Sequence, residues 1–236
     1  MEPGAFQGIY CGPAPDPAEL WTRWNLDPGV MVALVCLAIA LRRSGTGLAG
    51  VAVLALAFLS PLCALSAALF SARVVHHVAL VAIAAPLIAA SLHRRAPRSP
   101  VLPFVVHAAV LWLWHLPAAY DLALGNMAIY WAMQATLLGS AVAHWAAVLN
   151  PRLAPGLALG ATLGGYMQMA LLGALLTFAP VPLYQIHAAA PLAFGLLPLA
   201  DQQLGGLIMW VPAGLPFLII GGILARRGWH AMGRPA

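Results

Sequence analysis

The chain has 236 residues, 63% hydrophobic and 7% charged, with a mean hydropathy of +0.90, values that no water-exposed surface carries and that place it in a lipid bilayer. Its formal charge of +5 comes from eleven arginines, no lysine and six acids. In a chain this apolar the positions of the arginines matter more than their sum, and no nucleic-acid partner is expected.

Residues 1–27 read as a proline-rich external tail, with no basic stretch leading into a short apolar core as a cleavable signal peptide would have. Cys11, Cys36 and Cys63 form no CxxC, so no disulfide framework is expected, and Cys36 and Cys63 read as small apolar fillers. A span needs about 20 apolar residues to cross roughly 30 Å of hydrocarbon. Seven candidates follow, at about 28–41, 47–68, 73–92, 101–119, 127–148, 156–179 and 203–225. They make up a membrane domain over 28–225, followed by a cytoplasmic tail over 226–236.

With the N-terminus outside, the cytoplasmic side holds Arg42, Arg43, Arg94, Arg95, Arg98, Arg152, Arg226, Arg227 and Arg234, which leaves only Arg23 and Arg73 on the other face. Glu2, Asp16, Glu19, Asp27, Asp121 and Asp201 then all fall outside. The expected architecture is an all-α, polytopic membrane bundle of seven transmembrane helices, N-out and C-in. Gly156, Gly160 and Gly164, at four-residue spacing, give the sixth helix a face that a neighbouring backbone can approach.

Polar side chains within spans are costly and face the interior, so they mark candidate sites. His76 and His77 lie in the first turns of the third span, His115 at the external end of the fourth, and Asp201 at the mouth of the seventh with Met209 about two turns in; His187 belongs to the preceding external loop. Imidazole and thioether together suit copper, with Asp201 or Gln202 as the acceptor that orients a ligating histidine. His76 and His77 diverge by about 100° on a helix, so one of them is left for packing or the interface. Deeper in, His107 and His144 stand at comparable depth on the fourth and fifth spans, where they form either a hydrogen-bonded helix pair or the axial ligands of a haem b. Met167 and Met169, at i and i+2, do not share a face and read as packing. No nucleotide-binding glycine loop, HExxH or activated nucleophile is visible, so no enzyme is expected. The interior also lacks the ionisable chain of an ion path.

The stretches LFSARVVHHVAL, WLWHLPAAYDLAL, GALLTFAPVPLYQ and above all DQQLGGLIMWVP resemble the CtaG family of multi-span bacterial cytochrome c oxidase assembly factors, and WTRWNLDPGV is similar to the start of that family's first helix. The resemblance runs from about Trp21 to Leu224. It implies a multi-pass protein of the bacterial plasma membrane whose partners are oxidase subunits and lipid. Its implied role is non-catalytic, assisting copper insertion into the catalytic subunit. The matching positions are His77, His115, Asp201, Gln202, Gly206, Met209 and Trp210. One departure stands out: where the family usually has His-Met before its second histidine, this chain has Arg73 and Val74, with His76 as a possible replacement ligand. The expected metal set is therefore His77, His115, Met209, Asp201 and His76, holding copper transiently; the alternatives are haem b at His107 and His144, or a metal-free structural partner in assembly.

Overall fold

The computed structural model describes residues 10–92, 97 and 99–232. Glu2, Arg94, Arg95, Arg98 and Arg234, which contribute to the expected charge asymmetry, lie outside these residues. The described residues form an all-helical fold, 78% helix with no strand. Its elements are α1 (Pro28–Leu41), α2 (Gly45–Leu59), α3 (Pro61–Ala68), α4 (Phe70–Val78), a π-helical segment (Ala79–Ala84), α5 (Ala85–Ser91), α6 (Val101–His115), α7 (Pro117–Gly125), α8 (Met127–Val148), α9 (Pro155–Thr177), α10 (Pro198–Trp210) and α11 (Gly214–Met232).

Local chemistry sets the helix ends. The side chains of Asp27, Ser44, Ser60 and Asn126 accept hydrogen bonds from backbone N–H groups in the first turns of α1, α2, α3 and α8. Pro61 and Pro117 open new helices straight after old ones, which bends α2–α3 by 53° and α6–α7 by 76°. The predicted spans at 28–41 and 127–148 coincide with α1 and α8. The seventh was expected to begin at 203, but α10 starts at Pro198, so Asp201, Gln202 and Gln203 sit within its first turns and not at a mouth before it.

Three helical stretches among the described residues, 70–91, 155–177 and 198–230, are long and apolar enough to cross a membrane, and five if each bent pair is one span. The 14-residue α1 is apolar but shorter, and α8 carries Gln134, Thr136, Ser140 and His144 along its 22 residues. Exposed side chains such as Val32, Val35, Leu102, Val105, Leu171, Leu175, Leu218 and Ile219 coat the outer faces of α1, α6, α9 and α11. Lipid, not water, suits such a surface.

The expected close approach along Gly156, Gly160 and Gly164 is only partly realised: a Cβ at Gly164 would meet the Phe104 ring at 3.1 Å, whereas Gly156 and Gly160 face open space. The tight contact forms further along α9, where a Cβ on Gly173 would lie 2.8 Å from the Gly206 carbonyl oxygen of α10. Met167 is exposed and Met169 buried, as i, i+2 spacing requires. The π-helical segment frees a carbonyl at Val81, which accepts a 2.8 Å hydrogen bond from the Trp145 indole.

The cysteine expectation is overturned. Cys11 and Cys63 form a disulfide with Cα atoms 5.3 Å apart across 52 residues of sequence. Spacing along the chain could not show this, because the pairing is made by a fold-back. Asn25 bonds through its backbone N–H to the Leu59 carbonyl (2.9 Å) and through its side chain to that of Phe58 (3.0 Å), which docks the N-terminal segment on the end of α2. Tyr10 then stacks on Tyr130 and edge-on against Trp131, and burial pushes its phenol up to about 12. After denaturation without reductant, a thiol reagent is expected to label one cysteine, Cys36, and after reduction all three; three labels without reductant would contradict the bridge.

Candidate functional site

The site grows from an interruption in the chain. After α3 ends, Leu69 is extended, and α4 starts one residue later inside the bundle. A helix beginning there exposes first-turn N–H groups that apolar surroundings cannot satisfy. Leu69 offers no side-chain cap. Asp201 of α10 supplies one from across the bundle: its carboxylate accepts from the N–H of Phe70 (2.6 Å), the N–H of Ser71 (3.1 Å) and the Ser71 hydroxyl (2.5 Å). Its neighbours extend the tie. Gln202 accepts from the Leu183 N–H at 2.6 Å and donates to the Val181 carbonyl at 3.4 Å, while Gln203 donates to the Ala179 carbonyl at 3.3 Å. The two glycines that follow allow the packing, since a Cβ on Gly205 would sit 2.6 Å from the Phe70 ring and one on Gly206 2.5 Å from the Thr177 nitrogen.

So anchored, α4 presents Arg73, His76 and His77 to a cavity of about 20 Å³, whose walls also include His115, Met133 and Gln134. The rings of His77 and His115 stand edge-on, 5.2 Å apart. His115 donates from Nδ1 to its own helix at the Leu111 carbonyl, 2.7 Å away, which leaves Nε2 with the lone pair. His77 Nε2 is buried without a partner. His76 diverges toward α2, edge-on to Phe58 at 4.9 Å, and its Nε2 is also unpartnered. Arg73 is 5% exposed. Its Nη1 donates to Ser66 Oγ (3.3 Å) and the Tyr130 hydroxyl (3.4 Å), its guanidinium lies over the Tyr130 ring at 4.8 Å, and Nη2 has no partner.

The expected metal set is therefore divided. His76, His77 and His115 share the cavity, whereas Asp201 is spent on the α4 backbone and Met209 packs under Gly173. Among the described residues no three His, Cys, Asp or Glu side chains are grouped to hold a metal ion. The methionine that lines the cavity is Met133, which sequence reasoning passed over, as it did Gln134 in the same wall and Tyr130 under Arg73. Gln134 donates to the Tyr130 hydroxyl at 2.8 Å, an i, i+4 pair on one face of α8 that could have flagged this wall.

The remaining histidines have other surroundings. His187 donates to the Ala68 carbonyl (3.3 Å) and accepts from the Tyr120 hydroxyl (2.9 Å), so it closes the loop over the α3–α4 break. Tyr184 and Asp121 secure the same loop, through the His115 carbonyl (3.0 Å) and the N–H groups of Gln185 and Ile186 (3.2 and 3.4 Å). His107 bonds Ser140 through Nδ1 at 3.0 Å and stacks on His144 at 5.8 Å with planes 19° apart. The α9 backbone lies close beside this pair, since a Cβ at Gly165 would come within 2.9 Å of His144 Nε2.

A family model described as cytochrome c oxidase caa3 assembly factor (Caa3_CtaG) matches residues 89–231, more than half of the chain. That segment contains His115, Met133, Asp201 and Met209 but not His76 or His77. No curated protein and no solved structure matches the chain.

Replacing Asp201 with Ala should cost about 2–6 kcal/mol, since it orphans two buried N–H groups. Ser71→Ala, which leaves both N–H bonds in place, should cost about 1 kcal/mol, and unfolding of the purified variants checks the order. His187 gives a pH test: burial pushes its imidazole down to about 4, and the charge of Arg73 acts the same way. The native state thus binds fewer protons than the unfolded chain, whose histidine titrates near 6.5. Stability is intact above about pH 6.5 and falls by on the order of 3 kcal/mol as pH drops to about 4. The loss should be smaller in His187→Gln than in the unaltered protein, when unfolding is compared at pH 7.5 and 4.5.

Proposed function

The chain belongs to the cytochrome c oxidase caa3 assembly factor family, and on that premise we propose that it assists copper insertion into the catalytic subunit of an oxidase. The carrying observation is the His77–His115 pair: one unpartnered Nε2 and one imidazole with its tautomer fixed by the backbone, in a cavity that Met133 also lines. Two imidazoles and a thioether suit Cu(I). Arg73, a permanent cation in the same wall, opposes tight retention. Weak holding suits a carrier that must give its cargo up. The role is one of assembly, with oxidase subunits as partners and no catalysis of its own.

In this reading the protein spans a bacterial plasma membrane seven times, N-out and C-in. Adding α1 and α8 to the five spans that count each bent pair once supplies the number. The arginine distribution favours the orientation, and the Cys11–Cys63 bridge agrees with it, because such bonds persist in oxidising compartments. Tyr10 stacks on Tyr130, so the bridge and the cavity share one end of the bundle, the end that would receive copper from outside the cytoplasm.

Purified full-length protein is expected to take up about one Cu(I) in competition with a chromogenic chelator, and the His77→Ala, His115→Ala double variant none. Equal uptake by both would remove the copper role and leave a metal-free scaffold. Bound haem would instead give a Soret band. In cells lacking the protein, oxidase activity should recover on adding copper if delivery is the function.

A further inference from the structure

We propose that the cavity beside Arg73 binds one compact monovalent anion of the halide class, chloride being the abundant example. The argument starts from charge. Arg73 cannot shed its proton, it is buried, and its hydrogen bonds from Nη1 go to two neutral hydroxyls. The Tyr130 ring face offsets part of the charge. No described carboxylate bonds it, and the nearby acid, Asp201, already accepts three hydrogen bonds from α4. A buried, uncompensated charge is costly enough that proteins pair it.

The free donors point to the partner. Arg73 Nη2 and His76 Nε2 are both buried without an acceptor, and both residues line the cavity. His76 with its proton on Nε2 is a neutral donor, so an anion between the two would gain one charged and one neutral hydrogen bond. Size narrows the class: about 20 Å³ holds roughly one water-sized particle. A carboxylate or phosphate does not fit, and water fits without balancing the charge. The proposal uses Arg73 and His76 and does not rest on the copper reading, which uses His77, His115 and Met133; because the cavity holds one particle, halide and copper are alternative occupants, and the test is run without metal.

The test is unfolding of the full-length protein in chelator-treated buffer, with sodium chloride or bromide against sodium gluconate at equal ionic strength. Halide should raise the midpoint saturably, by about 2–4 °C. That response should vanish in Arg73→Gln and persist in Arg152→Gln, an exposed arginine that controls for general salt effects. A midpoint indifferent to halide, or the same rise in Arg73→Gln, would overturn the site. If Arg73→Gln does not fold, anomalous scattering from bromide-soaked crystals of the unaltered protein decides: a peak within hydrogen-bond reach of Nη2 supports the site, and its absence overturns it.

Discussion

The chain breaks its helix at Leu69 inside the bundle, and the N–H groups of Phe70 and Ser71 are paired because Asp201 reaches them from α10. Apolar surroundings offer no acceptor of their own, so a buried helix start persists only where another element of the protein provides one. The Gly173–Gly206 approach holds α10 against α9, and Gly205 makes room for Phe70. Arg73, His76 and His77 follow within two turns of the capped end, so their positions depend on that anchor.

What results is a polar pocket of mixed character. Three histidines and Met133 line a space that Arg73 also lines. The guanidinium weakens the hold on a cation, and its unsatisfied Nη2 calls for negative charge. Both follow from the arginine at position 73. Tyr130 ties this wall to the N-terminal segment, since Tyr10 stacks on the ring that lies under Arg73, and the Cys11–Cys63 bridge holds that segment down.

Apolar periodicity and proline placement made α1 and α8 legible to the residue, because helix ends at Pro28 and Asn126 are local chemistry. The divergence of His76 and His77 was legible from helix geometry alone. The partners of Asp201 were not, because the groups it serves are backbone N–H groups about 130 residues away, and a sequence does not display which amides lack acceptors. Met209 drew attention by lying in the motif, yet the thioether at the cavity comes from α8, a fact of helix packing. The disulfide was hidden for the same reason, although Cys11 and Cys63 both fall at the expected external side.

On the proposed function, the Asp201 anchor serves to present the α4 histidines for work on the oxidase. That role is tested most directly by oxidase activity in membranes from cells lacking this protein and complemented with Asp201→Asn at matched membrane level. The expected loss is as deep as that of the His77, His115 double variant. Full oxidase activity with Asp201→Asn would contradict it.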